Sequence, residues 1–334
     1  MEKILKKLLE GNNLTIEETY EVFNKIMLGE ISPVKTAAFL TLLKVKGETS
    51  EEITGVAKLL RDKMLKVRVK NKKICDTCGT GGDYSGTFNI STVCAIVSSS
   101  LGLTVAKHGN RSITSSCGSA DVLEYLGYKI DLEPEKTEQL LEKYNFAFLF
   151  APLYHKTMKN VAEIRKELAF KTIFNIIGPL CNPALANYQI MGVNEYSLLK
   201  IIPDVFKNLG IKGYIFYSED GLDEITLTGK TYIVKVDEKV KEFEIFPEDF
   251  GLKRCKLDDI KGGGLKENAE ILINIIKGKE KGPKKDIVCL NTSFLLKICK
   301  VINRIEEGIQ ICDEVLKNGI PYRKFNEILE VINK

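Results

Sequence analysis

The segment that most limits the fold of this chain lies at residues 74–92. A short apolar run enters Asp76 and continues as Asp76-Thr77-Cys78-Gly79-Thr80-Gly81-Gly82-Asp83. Asn89-Ile90-Ser91-Thr92 then opens a helical pattern that lasts to about residue 101. Strand, glycine loop and helix in that order are the building unit of α/β sheets. The rhythm repeats. Residues 103–106 read as a second strand that runs into Lys107-His108-Gly109-Asn110-Arg111, 119–127 as a helix and 146–150 as a third strand. Further strands are expected at 188–193, 212–217, 231–236 and 286–290. A helical stretch over 161–177 interrupts them. Gly262-Gly263-Gly264 marks a loop before a helix at 268–276; a helix is expected from 291 to about 306, and a last one from about 309.

The first 65 residues have a different character. Thr15 with Glu18 and Thr49 with Glu52 have capping-box spacing, and Ser32-Pro33 supplies an N-cap and a first helical residue. Apolar residues recur behind each start at helical spacing, as at Ile16, Tyr20, Phe23 and Met27. Three amphipathic helices with short loops predict a small helical unit.

Read alone, the glycine loop allows two meanings. It is a tight structural turn, or it is a nest of backbone N–H groups that holds an anion. No Gly-Lys-Ser/Thr follows at P-loop spacing, and the dinucleotide fingerprint is absent. Asn89, Ser91 and Thr92 favour the anion, because free N–H groups and hydroxyls at a helix start suit phosphate. The balance of 49 Lys and Arg against 45 Asp and Glu, net +4, argues against a charge-driven nucleic-acid coat and permits a pocket for a phosphorylated metabolite. With 44% apolar and 28% charged residues in 334, the composition is globular. Nine irregularly spaced cysteines and no recognisable signal peptide predict reduced, mostly buried thiols in a cytoplasmic protein. Cys75 and Cys78 form a Cys-x-x-Cys without a second pair at zinc spacing and read as structural. With His108 and His155 as the two histidines, a histidine-rich zinc site is nearly excluded. The charge-free run at 84–106 is too rich in Ser, Thr, Asn and Gly to span a membrane.

Taken together, the ordered motifs resemble the anthranilate phosphoribosyltransferase family. They are the Asp76–Asp83 loop, Asn89-Ile90-Ser91-Thr92, Lys107-His108-Gly109-Asn110-Arg111, Gly118-Ser119-Ala120-Asp121-Val122-Leu123-Glu124, Thr172 through Ala184, and Asp223-Glu224. The resemblance spans essentially the whole chain. It implies an α/β domain with a central mixed sheet and a glycine-rich phosphate loop, plus a smaller all-helical domain. The helical part is expected at 1–66 with 161–184 returning to it, and the α/β part at 72–160 and 185–334. The implied reaction transfers the phosphoribosyl group of phosphoribosyl pyrophosphate to the amino group of anthranilate with Mg2+, in a homodimer joined through the helical domain, without nucleic-acid or membrane partners. By the same resemblance the donor is held by Gly79, Gly82, Asp83, Thr87, Asn89, Ser91, Thr92, Lys107 and Ser119. Anthranilate is held by Gly79, His108, Asn110, Arg165, Gly178 and Pro179, with His155 in support. Mg2+ falls to Ser91, Asp223 and Glu224. Lys107, Asn110 and Arg165 act by electrostatics and positioning, and no covalent nucleophile is implied.

The chain departs from the family pattern at Lys156-Thr157, Tyr217-Ser218, Ser116 and Asn291-Thr292. Lys156-Thr157 is expected to border the acceptor side. Ser116 is expected to weaken phosphate binding, with Lys107 and Arg111 covering the charge. Two other functions compete: a pyrimidine nucleoside phosphorylase-like enzyme and a non-enzymatic nucleic-acid-binding relative. The combination of Asn110, Arg165 and Asp223-Glu224 argues against the first. Scattered lysines balanced by glutamate argue against the second.

Overall fold

The computed structural model describes residues 1–70, 73–112 and 117–334. Four helices come first: α1 (Glu2–Leu9), α2 (Ile16–Met27), α3 (Pro33–Lys46) and α4 (Ser50–Lys63). Three of their starts follow from side chains. Thr15 and Thr49 accept from the backbone N–H three residues on, while Glu18 and Glu52 reach back to the cap amides; Ser32 caps α3 behind Pro33.

The chain then lays down β1 (Ile74–Asp76), α5 (Ile90–Ser100), β2 (Thr104–Gly109), α6 (Ser119–Tyr125), α7 (Pro134–Tyr144), β3 (Phe146–Phe150), the single turn α8 (Ala151–Tyr154) and α9 (Lys159–Leu168). It continues with β4 (Tyr188–Gly192), α10 (Ile202–Leu209), β5 (Lys212–Ser218), β6 (Thr231–Val236), β7 (Val240–Ile245), α11 (Leu265–Ile276), α12 (Pro283–Ile298), α13 (Ile305–Lys317) and α14 (Ile320–Ile332). The seven strands form one mixed sheet in the order β3-β2-β1-β4-β5-β6-β7. β1 to β5 are parallel and β6 and β7 antiparallel. The chain fills the sheet from β1 outward to β3, then returns past β1 to β4. Such a reversal leaves a crevice beyond the carboxyl ends of the two central strands, where open α/β sheets take their ligands.

Alternate side chains of the central strands feed two cores. Ile190, Tyr214 and Phe216 join a core with α5, α12 and α14; Met191 and Ile215 face a second one. That second core contains Phe23 and Phe39 of the bundle together with Val161, Ile173 and Phe174. α9 packs on α2 and α3, Asn160 Nδ2 donates to the Met27 carbonyl at 2.6 Å, and Arg61 Nε donates to the Leu180 carbonyl at 2.7 Å.

Three expectations change. Residues 286–290 are not a strand but part of the first half of α12, which starts at Pro283 and is buried on nearly every side from Ile287 onward. A continuous apolar run reads alike for a buried strand and a buried helix. The 161–177 stretch is not one helix. It stops at Leu168, where Ala169 takes φ 51°, and resumes as 3-10 turns at Ile173–Asn175 and Gly178–Leu180. α7, α10 and β7 add to the elements expected from sequence; β7 is exposed apart from Ile245 and places Lys241, Glu242 and Glu244 along the sheet edge. The expected boundary at residue 72 lies outside the described residues.

Candidate active site

The site begins with a carboxylate that is not in it. Asp76 is fully buried at the end of β1. Its Oδ1 accepts from the amides of Thr77 (2.7 Å), Cys78 (3.1 Å) and His108 (3.3 Å), and its Oδ2 from Asn182 Nδ2 (2.7 Å). The ends of β1 and β2 are thereby fixed to each other. Burial raises this carboxyl to about 6, while Lys107 nearby, the Asn182 side chain and the amides of His108 and Thr77 pull it down. From here the glycine loop crosses to β4 and the 223–224 turn. A Cβ on Gly79 would stand 2.8 Å from Asp223 Oδ2 and 3.0 Å from the Gly192 carbonyl, so the approach excludes a side chain. Gly81 and Gly82 take φ 65° and 73°. The Gly81 amide donates to Asp223 Oδ2 at 2.7 Å, and Asn194 Nδ2 holds the Gly81 carbonyl at 2.7 Å.

Asp223 and Glu224 sit half-buried at the carboxyl end of the sheet, facing Asp83. The Asp223 amide donates to Asp83 Oδ2 at 3.4 Å. Burial, followed by the Asp83 charge, pushes Asp223 up to about 7; burial and then Asp223 push Glu224 well above the carboxylate range. Two carboxyls raised in this way beside a third acidic side chain call for a cation. The donors are carboxylate oxygens, joined by Ser91, whose amide bonds Glu224 from the first turn of α5. Hard oxygen ligands around a shared charge fit Mg2+. The turn is held from below. Ser218 Oγ donates to the Glu224 carbonyl at 2.6 Å, and buried Asn291 clamps Ile225 on both sides, with its Oδ1 accepting from the amide and its Nδ2 donating to the carbonyl, each at 2.9 Å.

The start of α5 supplies neutral polar groups. Asn89 Nδ2 donates to the Cys117 carbonyl at 3.0 Å, whereas Asn89 Oδ1 and Thr92 Oγ1 are buried without partners among the described residues. Thr77 Oγ1 anchors the Ser91 carbonyl at 2.8 Å. Thr87 forms an isolated bridge with Lys261, beside the expected 262–264 loop, where Gly262 N–H donates to the Gly86 carbonyl at 2.9 Å. Lys107, 3% exposed, donates from Nζ to the His108 carbonyl at 3.1 Å.

The cleft also holds two buried histidines. His108 Nδ1 lies 3.1 Å from the Gly178 carbonyl, which leaves Nε2 buried and unpartnered among the described residues. The His155 ring is tilted against it with centroids 5.2 Å apart. Burial depresses both, His155 to about 4 and His108 well below its usual value, with the neighbouring histidine and Lys107 adding to the latter. The pair is neutral at pH 7. Gln189 Nε2 ties the Gly178-Pro179 turn to the glycine loop through the Pro179 and Cys78 carbonyls, each at 3.0 Å. Arg165 comes from α9, half-buried, with its guanidinium 5.3 Å from the Phe174 ring centroid. Neither Glu163 nor Glu167 pairs with it, and burial lowers its pKa. Asn110, Ser119 and Arg111 stand at the more open side. Arg111 is committed to Asp121 (2.8 Å) and Glu124 (2.8 Å), so it does not cover phosphate charge as expected. Ser119 is the first residue of α6. Gly118 is the N-cap of α6, and Ser119 Oγ donates to the Asn110 carbonyl at 3.3 Å. Every residue that the resemblance assigns to a substrate or to the metal lines this one cleft, of about 600 Å³.

Comparison with known proteins bears on this arrangement. Residues 2–64 match the glycosyl transferase family helical bundle domain, and residues 71–322 the a/b domain of that family. The chain is 47% identical over 332 residues to the anthranilate phosphoribosyltransferase of Thermoanaerobacter sp. (strain X514), covering 99% of this chain and 98% of that one. It is 48% identical over 333 residues to the enzyme of the same name from Clostridium beijerinckii, with 98% of each covered. The chain belongs to the anthranilate phosphoribosyltransferase family. Solved structures agree. That of the Thermus thermophilus anthranilate phosphoribosyltransferase superposes with a TM-score of 0.94 at 37% identity over 99% of both chains. The Saccharomyces cerevisiae enzyme in complex with PRPP and Mg superposes with 0.91 at 30% identity, covering 99% of this chain and 97% of that one.

Within this family the departures acquire a physical meaning. Lys156 is exposed, and neither it nor Thr157 lines the cleft; Met158 does. Ser218 and Asn291 lie beneath the acidic turn and support it, and Ser116 lies outside the described residues. Cys78 lines the cleft with its thiol pushed up to about 12 by burial, and Cys75 Sγ rests 3.3 Å from Cys299 Sγ. Neither is poised as a thiolate nucleophile. Sequence reasoning missed Gln189 and Asn182, which brace the loops, and Lys171, Asn175 and Asn194, which line the cleft. Asn175 and Lys171 stood inside or beside a quoted motif. Gln189 and Asn194 carried no signal, because each acts through a partner distant in sequence.

Proposed function

We propose that this protein is an anthranilate phosphoribosyltransferase. It joins the amino group of anthranilate to C1 of phosphoribosyl pyrophosphate, giving N-(5-phosphoribosyl)anthranilate and pyrophosphate. The observation that carries the reading is the composition of the one cleft. Carboxylates, hydroxyls and Lys107 surround the glycine loop, and the same cleft holds a neutral histidine pair and a guanidinium with no ion pair among the described residues.

In this reading, the loop from Gly79 to Asp83, Thr87, the α5 start (Asn89, Ser91, Thr92), Lys107 and Ser119 bind the donor. The buried and unpartnered oxygens of Asn89 and Thr92 support that assignment, since a ribose hydroxyl or a protonated phosphate oxygen would satisfy them. Ser91, Asp223 and Glu224 would hold Mg2+, which would offset negative charge on the pyrophosphate. Arg165 takes the anthranilate carboxylate, with Asn110 beside it and His108, Gly178 and Pro179 lining the ring. The aromatic amine is neutral at pH 7 and needs no prior activation. As its lone pair forms the bond to C1, the C1–O pair leaves with pyrophosphate and the amine proton is lost afterwards. Alignment and fixed charge therefore supply the rate.

The chain is read as two parts, 1–66 with 161–184 and 72–160 with 185–334. Support comes from the core that the bundle shares with Val161, Ile173 and Phe174. A homodimer through the helical part is supported by exposed Leu9, Leu28, Val34 and Val45, and light scattering tests it. The free state of all nine cysteines supports a cytoplasmic setting; among the described residues no helix is long and apolar enough to cross a membrane.

The deciding assay follows loss of anthranilate fluorescence with phosphoribosyl pyrophosphate and Mg2+. Turnover is expected only with all three present. Undiminished turnover in excess EDTA removes the metal from the reading, and uridine or thymidine phosphorolysis in place of anthranilate loss replaces it.

A further inference from the structure

Beyond α9 the chain turns back toward the glycine loop. Ala169 closes the helix in the left-handed region, and two residues later Lys171 enters the cleft. Its Nζ donates to the Gly82 carbonyl at 3.3 Å and stands 5.7 Å from the centroid of the Tyr84 ring. Its stem runs along Gly82, where a Cβ would lie 3.8 Å from Cε and 3.9 Å from Nζ. The side chain is half-buried, and no carboxylate pairs with it among the described residues. An ammonium has three N–H donors. One neutral carbonyl and one aromatic face leave most of its charge unanswered.

The charges across the cleft show what could answer it. When all three are ionised, Asp83, Asp223 and Glu224 carry the negative charge that one divalent cation and Lys107 would match. Arg111 is tied to Asp121 and Glu124. A bound pyrophosphate adds further negative charge; of the other cations that line the cleft, Lys159 and Arg165 stand on α9, whereas Lys171 meets the glycine loop itself, one residue before Asp83. We propose that Lys171 is a donor-binding residue: its ammonium contacts the pyrophosphate oxygens of the donor beside Gly82. The inference rests on the donor assignment made above and adds to it a residue with no role there. It also gives residues 159–180 a double task. Arg165 meets the acceptor and Lys171 the donor from one stretch of chain whose apolar side chains belong to the bundle core.

The test uses Lys171→Gln and Lys171→Arg in the full-length protein. Glutamine keeps an N–H for the Gly82 carbonyl, so the tether survives while the charge is lost. Steady-state kinetics vary each substrate in turn. Calorimetry titrates inorganic pyrophosphate with Mg2+ into the free protein. Lys171→Gln should raise the donor KM and weaken pyrophosphate binding roughly ten- to hundredfold, the range of a charge-assisted hydrogen bond. The anthranilate KM should stay within about twofold, and Lys171→Arg should recover most of the loss because it restores the charge. Unchanged pyrophosphate affinity in Lys171→Gln overturns the inference, as does equal weakening of both substrates or a fall in melting temperature without either effect. A wild-type protein that binds pyrophosphate but never consumes anthranilate would instead refute the functional reading, leaving the calorimetric comparison of Lys171 valid.

Discussion

Replacing Arg165 with alanine separates binding from folding unusually well. The guanidinium is half-buried and has no ion pair among the described residues; its contact with the protein is the Phe174 ring at 5.3 Å. Its removal costs the fold a cation–π contact of about 1–2 kcal/mol. The effect on the acceptor is larger. Truncating one partner of a desolvated charge pair costs about 2–5 kcal/mol, because the other charge stays behind in the dry site. Arg165 keeps part of its surface in water, which favours the lower half of that range, about 2–3 kcal/mol. At about 1.4 kcal/mol per tenfold, that is roughly 30- to 150-fold in kcat/KM for anthranilate. The loss should appear mainly in the anthranilate KM, since the carboxylate is held equally before and during reaction. The assay is anthranilate fluorescence with each substrate varied in turn, alongside thermal melting of the variant. Lys107→Ala is the natural comparison and should weaken the donor first. Equal shifts of both KM values in Arg165→Ala, or a large drop in melting temperature with KM values unchanged, would refute the acceptor assignment.

Two further outcomes follow from the acidic turn. Asn291→Ala leaves the buried amide and carbonyl of Ile225 without their partner, so stability should fall by about 2–4 kcal/mol in denaturant titration and Mg2+ should bind more weakly by calorimetry; unchanged Mg2+ affinity would show that the clamp does not position Asp223 and Glu224. Because Asp223 is raised from 3.8 to about 7 in the fold, its stabilising contribution is present below its unfolded value and is lost as pH rises toward 7, when a proton gives way to a charge among charges. Mg2+ competes with that proton, so its stabilisation of the free protein in thermal melts should be greater near pH ~8 than near pH ~5.5, on either side of that value; the reverse order would overturn the metal assignment.

Local signals carried far in this chain. Thr15–Glu18 and Thr49–Glu52 are complete capping boxes, each contained in one helical turn, and the third strand could be bounded at Phe146 and Phe150 because polar residues precede it and a proline turn follows. The glycine loop was legible for a similar reason: positive φ and close approach leave their mark as residue type. What failed depended on distance. Residues 286–290 read as strand because burial on all sides erases helical periodicity. The break after Leu168 rests on an alanine in a conformation that its residue type does not announce. Asp76 looked like the first letter of a phosphate motif, yet its carboxylate faces inward and joins two strands to Asn182, 106 residues away. Arg111 looked free in sequence and proved to be engaged by α6.

The bundle's dependence on residues 161–180 also bears on how the protein is made. Phe23 meets Phe174 at 5.6 Å between ring centroids, and Arg61 is satisfied by the carbonyl of Leu180. A ribosome that has finished α4 has therefore released four helices with one wall of their core still unwritten. About a hundred further codons must be read before that wall exists; at roughly 5–20 residues per second the gap is on the order of ten seconds. During that interval the nascent bundle presents Phe23 and Phe39 to whatever is nearby, which makes it a natural client for a chaperone at the exit tunnel.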